Sequence, residues 1–164
     1  MLMNAIHHQP AGPTSVLFVC DDNRRYSLLR EALVRARKID GLRAFSAGLN
    51  PADKADPFTL SALTLAGVGS DGLWPKHWDG VAHPYRKIVD IVVIIGENTA
   101  QQLPRSFPGE PAFIVWDFDT SNIDRLNGGV WRDIQLLNPY VDAFVEGLQS
   151  GQHTALESEA LAAE

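Results

Sequence analysis

The stretch "SVLFVCDDNRRYSLLREAL", Ser15 to Leu33, decides the fold, because an apolar run ends there at a single cysteine and a polar loop leads into a helical pattern. The run before Cys20 has the β-branched and aromatic composition of a short buried strand. After the loop, apolar side chains recur at helical spacing, at Leu28, Leu29, Ala32, Leu33 and Ala36. The stretch therefore predicts a strand over Ser15–Val19, a tight loop and a helix, with Cys20 at the end of the strand.

The same alternation continues along the chain. Three further short apolar runs predict strands, at Leu42–Ser46, Val89–Ile95 and Ala112–Trp116. A helix is predicted over Pro57–Val68, and a C-terminal helical pattern is interrupted by Pro139, which predicts a kink or a restart with Asn138 as N-cap. Alternating strands and helices predict a parallel sheet with helices on both faces, and ligands then bind beyond the carboxyl ends of the strands.

Length and charge limit the class of protein. The 164 residues, 45% of them apolar, predict one domain, with a flexible N-terminal arm at 1–14, a folded part at 15–148 and a polar C-terminal tail at 149–164. A formal charge of -6 argues against nucleic acid and anionic membranes as partners. One cysteine cannot form an internal disulfide, and the chain begins without a secretory signal pattern, so a cytoplasmic protein without metal or cofactor is expected.

The loop after Cys20 has the features of an anion site. A strand that turns into a helix N-terminus presents unpaired backbone N–H groups and the positive end of the helix dipole, which bind phosphate-like anions and lower the pKa of a cysteine. Cys20 is thus a candidate nucleophile, Asn23 tolerates left-handed backbone angles, and Ser27 can donate a hydrogen bond to the thiolate. The alternative is that Cys20 is one more buried apolar side chain.

A set of motifs extends this pattern beyond the loop. "VLFVCxxNxxxS" with "EAL" is followed by "FSAGLNP" (45–51), "KHWD" (76–79), "DIVVIIGEN" (90–98), "FPG" (107–109) and "VWDF" (115–118). In order and spacing, over about residues 15–148, the set resembles the low-molecular-weight protein-tyrosine-phosphatase and thioredoxin-coupled arsenate-reductase family. The resemblance implies a three-layer α/β/α fold with a four-stranded parallel sheet in order 2-1-3-4. It also implies that Cys20 is the nucleophile, Asn23 the loop-shaping asparagine and Ser27 the thiolate-stabilising hydroxyl.

The loop departs from the family pattern at its arginine. The family signature places that arginine six positions after the cysteine, where this chain has Tyr26, and a phenol cannot replace a bidentate guanidinium. Arg24 and Arg25 are close in sequence, but one step along a helix rotates a side chain by about 100°. Asp22 stands where the family usually has glycine, and its carboxylate opposes both anion binding and thiolate formation.

The general acid and the redox relay also differ. The family's general acid is an aspartate that precedes a proline after the fourth strand, and here Thr120 and Ser121 stand at those two positions. The neighbouring Asp119 is a candidate general acid; the alternative is that Asp119 only caps a turn. Arsenate reduction by a disulfide relay within the chain is excluded, because Cys20 is the only cysteine.

These departures favour a diverged phosphatase-like protein with weak or no activity and a binding or regulatory role. The alternative is an active cysteine-dependent phosphatase, working through a phosphocysteine, in which Arg24 or Arg25 replaces the loop arginine. Either form would recognise a phosphorylated protein, a small phosphoester or another oxyanion. A third hypothesis is a small-molecule enzyme or sensor with a pocket lined by tryptophans, at Trp74, Trp78, Trp116 and Trp131.

Overall fold

A four-stranded, all-parallel sheet forms the centre of the molecule in the computed structural model, which describes residues 13–81, 89–116 and 129–151. Its strands are β1 (Thr14–Cys20), β2 (Leu42–Gly48), β3 (Ile91–Ile95) and β4 (Ala112–Trp116). They lie in the order β2-β1-β3-β4, so the predicted topology is confirmed. The apolar runs of β1 and β3 form the central strands because their side chains are buried on both sides of the sheet, whereas the edge strands β2 and β4 are partly exposed.

Five helices connect and cover the strands in the described residues. They are α1 (Tyr26–Ala36), α2 (Pro57–Leu65), α3 (Trp78–Val81), α4 (Glu97–Gln102) and α5 (Gly129–Ser150). The helix α5 continues through Pro139, so the predicted restart at Asn138 does not occur. The Asn138 side chain instead accepts a hydrogen bond from Arg37 at 2.9 Å, and buried side chains of α5 lie on both sides of the proline. Tertiary packing thus offsets the local cost of proline in a helix.

Alternate residues of β1 enter two hydrophobic clusters, one on each face of the sheet. Val16, Phe18 and Cys20 pack with side chains of α1, α2 and α5. Leu17 and Val19 pack on the opposite face with side chains from α4 and the segment after it. The period of two along a strand produces this division and leaves Cys20 directed toward α1. In the part of the chain that the structure describes, no helix is long and apolar enough to cross a membrane.

The end of β2 passes directly against the loop after β1. Cys20 lies opposite Gly48 in the parallel register. A Cβ added at Gly48 would come within 2.7 Å of the Asp21 carbonyl oxygen and 3.0 Å of Asn23. The glycine of "FSAGLNP" is therefore needed for close approach of two backbone segments, which brings the residues after β2 beside the loop.

Candidate active site

Cys20 lies at the carboxyl edge of the sheet, where the topology predicts a site. The residue is only 4% exposed. Its Sγ is 2.9 Å from Ser27 Oγ in the first turn of α1 and 3.9 Å from Asp22 Oδ1 in the loop. Burial raises the pKa of the Cys20 thiol, and the negative charge of Asp22 raises it further. Hydrogen bonds from Ser27 lower the pKa but do not outweigh burial, so the net shift is upward. An upward shift of the pKa lowers the fraction of thiolate, which is the nucleophilic form of cysteine.

Asn23 connects the loop to two other parts of the fold. It is fully buried and has a left-handed backbone with φ of 50°. Its Nδ2 donates to Ser27 Oγ at 2.7 Å, and its Oδ1 accepts from the backbone N–H of Lys76 at 2.9 Å. Because Ser27 Oγ accepts a hydrogen bond from Asn23, its own proton is available to Cys20 Sγ. The predicted sulfur, hydroxyl and amide are therefore brought together in one hydrogen-bonded chain.

The carbonyl groups of the loop are bound by the segment that follows β2. The carbonyls of Cys20, Asp21 and Asp22 accept backbone hydrogen bonds at 3.2, 2.8 and 2.9 Å, in that order, from residues 49, 50 and 52. The Asp22 carboxylate turns back into the loop and accepts the backbone N–H of Arg24 at 3.1 Å. This Asx turn gives one of the loop N–H groups an internal partner.

Arg24 and Arg25 both reach toward Asp56 at the N-terminus of α2. Arg25 Nε is 3.2 Å from Asp56 Oδ2, and an Arg24 terminal nitrogen is 3.8 Å from Asp56 Oδ1. The Asp56 carboxylate also caps α2 by accepting the backbone N–H of Thr59 at 3.1 Å and its hydroxyl at 2.8 Å. Burial acts to raise the pKa of Asp56, but the Thr59 hydrogen bonds and the charge of Arg25 outweigh it and hold that pKa below its ordinary value.

Tyr26, at the position of the family arginine, is the first residue of α1. It is half-buried and packs against the hydrophobic cluster that contains Cys20. Tyr26 therefore packs an aromatic ring against the core at the position where the family pattern has an arginine.

Three charged residues near the loop were not predicted from sequence. Asp56 precedes a proline and a helical run, which is a recognisable N-cap signal. Arg30 and Asp133 lie at 0% and 1% exposure on buried faces of α1 and α5, where helical periodicity alone predicts apolar side chains. A charge inside an apolar helical face is the sequence signal that marks them.

Several other predicted residues do not join this site. Asp119 and Thr120 lie outside the described residues. The four tryptophans do not line one pocket, because Trp78 packs in the second cluster and Trp116 against the first, while Trp74 is 59% exposed. Trp131 lines a cavity of about 380 Å³ between α2 and α5. Among the described residues, no group of three His, Cys, Asp or Glu side chains can hold a metal ion.

Comparison with known proteins agrees with this geometry. The family model described as low molecular weight phosphotyrosine protein phosphatase matches residues 15–122. The chain is similar to a thioredoxin-dependent arsenate reductase from Corynebacterium glutamicum, with a TM-score of 0.69 and 22% identity over 87% of this chain and 65% of that one. It is also similar to YfkJ from Bacillus subtilis, with a TM-score of 0.67 and 20% identity over 88% and 99% of the two chains.

A third similar structure is the tyrosine phosphatase Wzb from Escherichia coli K30 in complex with sulphate. Its TM-score is 0.64 at 19% identity, over 82% of this chain and 97% of that one. This chain thus spans about two thirds of the reductase and nearly all of YfkJ and Wzb. At these identities the three structures show a shared fold.

Proposed function

Because the chain belongs to the low molecular weight phosphotyrosine protein phosphatase family, we propose that it is a diverged member with weak or no phosphatase activity and a binding or regulatory role. The site assigned to this role is the loop from Cys20 to Ser27. Its ligand would be a phosphorylated protein, a small phosphoester or another oxyanion, and the protein would act in the cytoplasm.

The observation that carries this proposal is the position of the Asp22 carboxylate. It accepts a hydrogen bond from the backbone N–H of Arg24 and lies 3.9 Å from Cys20 Sγ. A phosphate group needs the loop N–H groups and the positive end of α1, and a carboxylate already in the loop competes for the donors and repels the dianion. The same negative charge opposes ionisation of the thiol, so both binding and nucleophilic attack are weakened.

The missing loop arginine supports the same conclusion. The family position holds Tyr26, and both neighbouring arginines contact Asp56. A guanidinium that stabilises the equatorial oxygens of a transferring phosphoryl group contributes several kcal/mol, or roughly a hundredfold or more in rate. Reaching the anion would require Arg25 to leave its 3.2 Å contact with a carboxylate that is itself buried, which costs additional free energy.

An active phosphatase is a second candidate, favoured by the intact hydrogen-bonded chain from Asn23 through Ser27 to Cys20. Arg24 is 53% exposed, and its 3.8 Å contact with Asp56 is weak enough to break at little cost. In this case the Cys20 thiolate would attack phosphorus and the leaving oxygen would take a proton from an acid, for which Asp119 is the candidate. Water would then cleave the S–P bond and release phosphate.

Hydrolysis of para-nitrophenyl phosphate separates the two candidates. We expect the unsubstituted protein to show no turnover above that of Cys20→Ser, and Asp22→Gly combined with Tyr26→Arg to raise Cys20-dependent turnover. Asp40→Gly removes an exposed carboxylate after α1 and serves as the matched control, for which no gain is expected. Robust turnover by the unsubstituted protein, abolished by Cys20→Ser, would overturn the proposal and support the active enzyme.

A further inference from the structure

Large apolar side chains stay exposed around the cavity between α2 and α5. Phe58 and Leu65 of α2 and Trp131 of α5 line this cavity of about 380 Å³, together with the buried side chains of Ala62 and Val130. We call the surface formed by these five residues the α2/α5 groove. An exposed apolar patch around a concave surface marks an interaction site more often than a single exposed apolar residue does.

Arginines stand beside the groove. Among the described residues that line the cavity, Arg25 carries the only charge. It shares the buried carboxylate of Asp56 with Arg24, so two positive charges contact one negative charge there. Arg132, the residue after Trp131, is exposed as well. The groove thus has positively charged residues at its border on a chain with a formal charge of -6, and this favours an acidic partner.

One carboxylate holds both the start of α2 and the arginine that lines the groove. Asp56 accepts the backbone N–H of Thr59 at 3.1 Å, which caps α2, and it contacts Arg25 Nε at 3.2 Å. The helix α2 packs in turn on α5. The walls of the groove are therefore in position before a partner arrives, which lowers the entropic cost of binding.

The exposed area suits a short protein segment. Phe58 and Leu65 are 74% and 79% exposed, so most of their surface lies where a small molecule inside the cavity would not cover it. With Trp131 they expose roughly 400 Å² of side chain, at about 150–250 Å² for each large side chain. A stable dimer needs about 800 Å² from each copy, and two-fold symmetry about the groove would also bring two Arg25 side chains together. A second copy of the chain therefore fits less well than an acidic segment.

We propose that the α2/α5 groove binds a protein segment in which large apolar side chains are flanked by aspartate or glutamate. The apolar side chains fill the cavity, and the carboxylates face Arg25 and Arg132. Cys20 does not line this cavity, so the inference goes beyond the proposed function and does not depend on turnover at the thiol.

Peptide binding to the full chain tests the proposal by fluorescence anisotropy. The probe is a fluorescein-labelled peptide of sequence Glu-Glu-Leu-Phe-Glu-Glu, and the control peptides are Lys-Lys-Leu-Phe-Lys-Lys and Glu-Glu-Ser-Ser-Glu-Glu. We expect the probe to bind with a Kd below about 1 mM and each control peptide to bind at least about fivefold more weakly. The first control tests the charge of the partner, and the second tests its apolar side chains.

Two serine substitutions test where the probe binds. Leu65→Ser should weaken binding of the probe about five- to tenfold, because the burial of one leucine side chain is lost. Leu136→Ser makes the same change at an exposed position of α5 that does not line the cavity, and it should leave the Kd unchanged. Both positions are exposed, so neither substitution should unfold the protein. Arg132→Gln should weaken binding about two- to threefold at low salt, and high salt should reduce this difference.

Three results would overturn the proposal: no binding of the probe, equally tight binding of the lysine peptide, or equal losses in Leu65→Ser and Leu136→Ser. Sedimentation velocity tests a second copy of the chain as the occupant. We expect the unsubstituted protein to sediment as a monomer. A dimer that Leu65→Ser dissociates would assign the groove to self-association and would also overturn the proposal.

Discussion

Substitution of Asn23 tests how the candidate site is held together. The buried side chain makes two hydrogen bonds, to Ser27 Oγ at 2.7 Å and from the Lys76 backbone N–H at 2.9 Å. Each contributes about 1 kcal/mol to the free energy of unfolding. Its backbone φ of 50° costs an alanine about 1 kcal/mol more. Asn23→Ala should thus destabilise the protein by about 3 kcal/mol, whereas Asn23→Gly, which tolerates the left-handed angle, should cost about 2 kcal/mol.

Urea denaturation followed by tryptophan fluorescence measures both free energies. Thermal unfolding should show melting temperatures lower by about 9 °C and about 6 °C for the two variants, at about 3 °C per kcal/mol for a domain of this size. Asn50→Ala is the matched control, because Asn50 is exposed and makes one side-chain hydrogen bond, to Asp21 at 2.9 Å. Its cost should stay below about 0.5 kcal/mol.

Two outcomes would refute this reasoning. If alanine costs no more than glycine at position 23, the left-handed backbone is not a source of destabilisation. If both variants unfold within about 0.5 kcal/mol of the unsubstituted protein, the two hydrogen bonds do not hold the loop, and the orientation of Ser27 toward Cys20 needs another cause.

Three other perturbations test separate parts of the site. Gly48→Ala should destabilise the protein by roughly 1–3 kcal/mol in urea denaturation, because its Cβ would lie 2.7 Å from a carbonyl oxygen, and a cost near zero would contradict the close approach. Asp22→Asn should raise the rate of Cys20 alkylation by iodoacetamide at pH 8 about fivefold. A charge 3.9 Å from the sulfur destabilises the thiolate by about 1 kcal/mol even at the dielectric constant of water. An unchanged rate would mean that the Asp22 carboxylate does not affect ionisation of the Cys20 thiol. The pKa of Asp56 is depressed in the folded state, so its ionisation stabilises the protein above the unfolded-state pKa of about 4, and this contribution is lost as the pH falls through the folded-state value. Asp56→Asn should accordingly reduce the stability at pH 7 and flatten its decline in acid, and urea midpoints between pH 7 and pH 2 that fall in parallel for both proteins would refute this assignment.

Local patterns in the sequence predicted the strands and a parallel sheet, and the family resemblance implied the order of the strands. Short β-branched runs bounded by turn residues predicted the four strands within about two residues at each end, because buried parallel strands need continuous apolar side chains. The ordered motifs implied the strand order 2-1-3-4, which the sheet confirms. The same reasoning predicted that Cys20 lies at the carboxyl edge of the sheet, since parallel strands end on one side.

The sequence predicted a kink or a restart at Pro139, and of these two the restart does not occur. Pro139 removes one backbone donor, so local rules favoured either a bend or a new helix beginning near Asn138. Buried side chains of α5 on both sides of the proline keep the helix continuous instead. Helix ends depend on such packing as much as on the residues that form them.

By itself, the sequence determined the strand, loop and helix around Cys20, since these follow from side-chain period and turn chemistry within a few residues. Only the tertiary structure decided which distant residues pair with the loop. Asp56 lies 31 residues after Arg25 in the chain, and Lys76, whose backbone N–H binds Asn23, lies 53 residues after Asn23, so no local pattern could pair them. Electrostatic interactions depend on distance in space and on burial, and both are set only when the helices pack on the sheet.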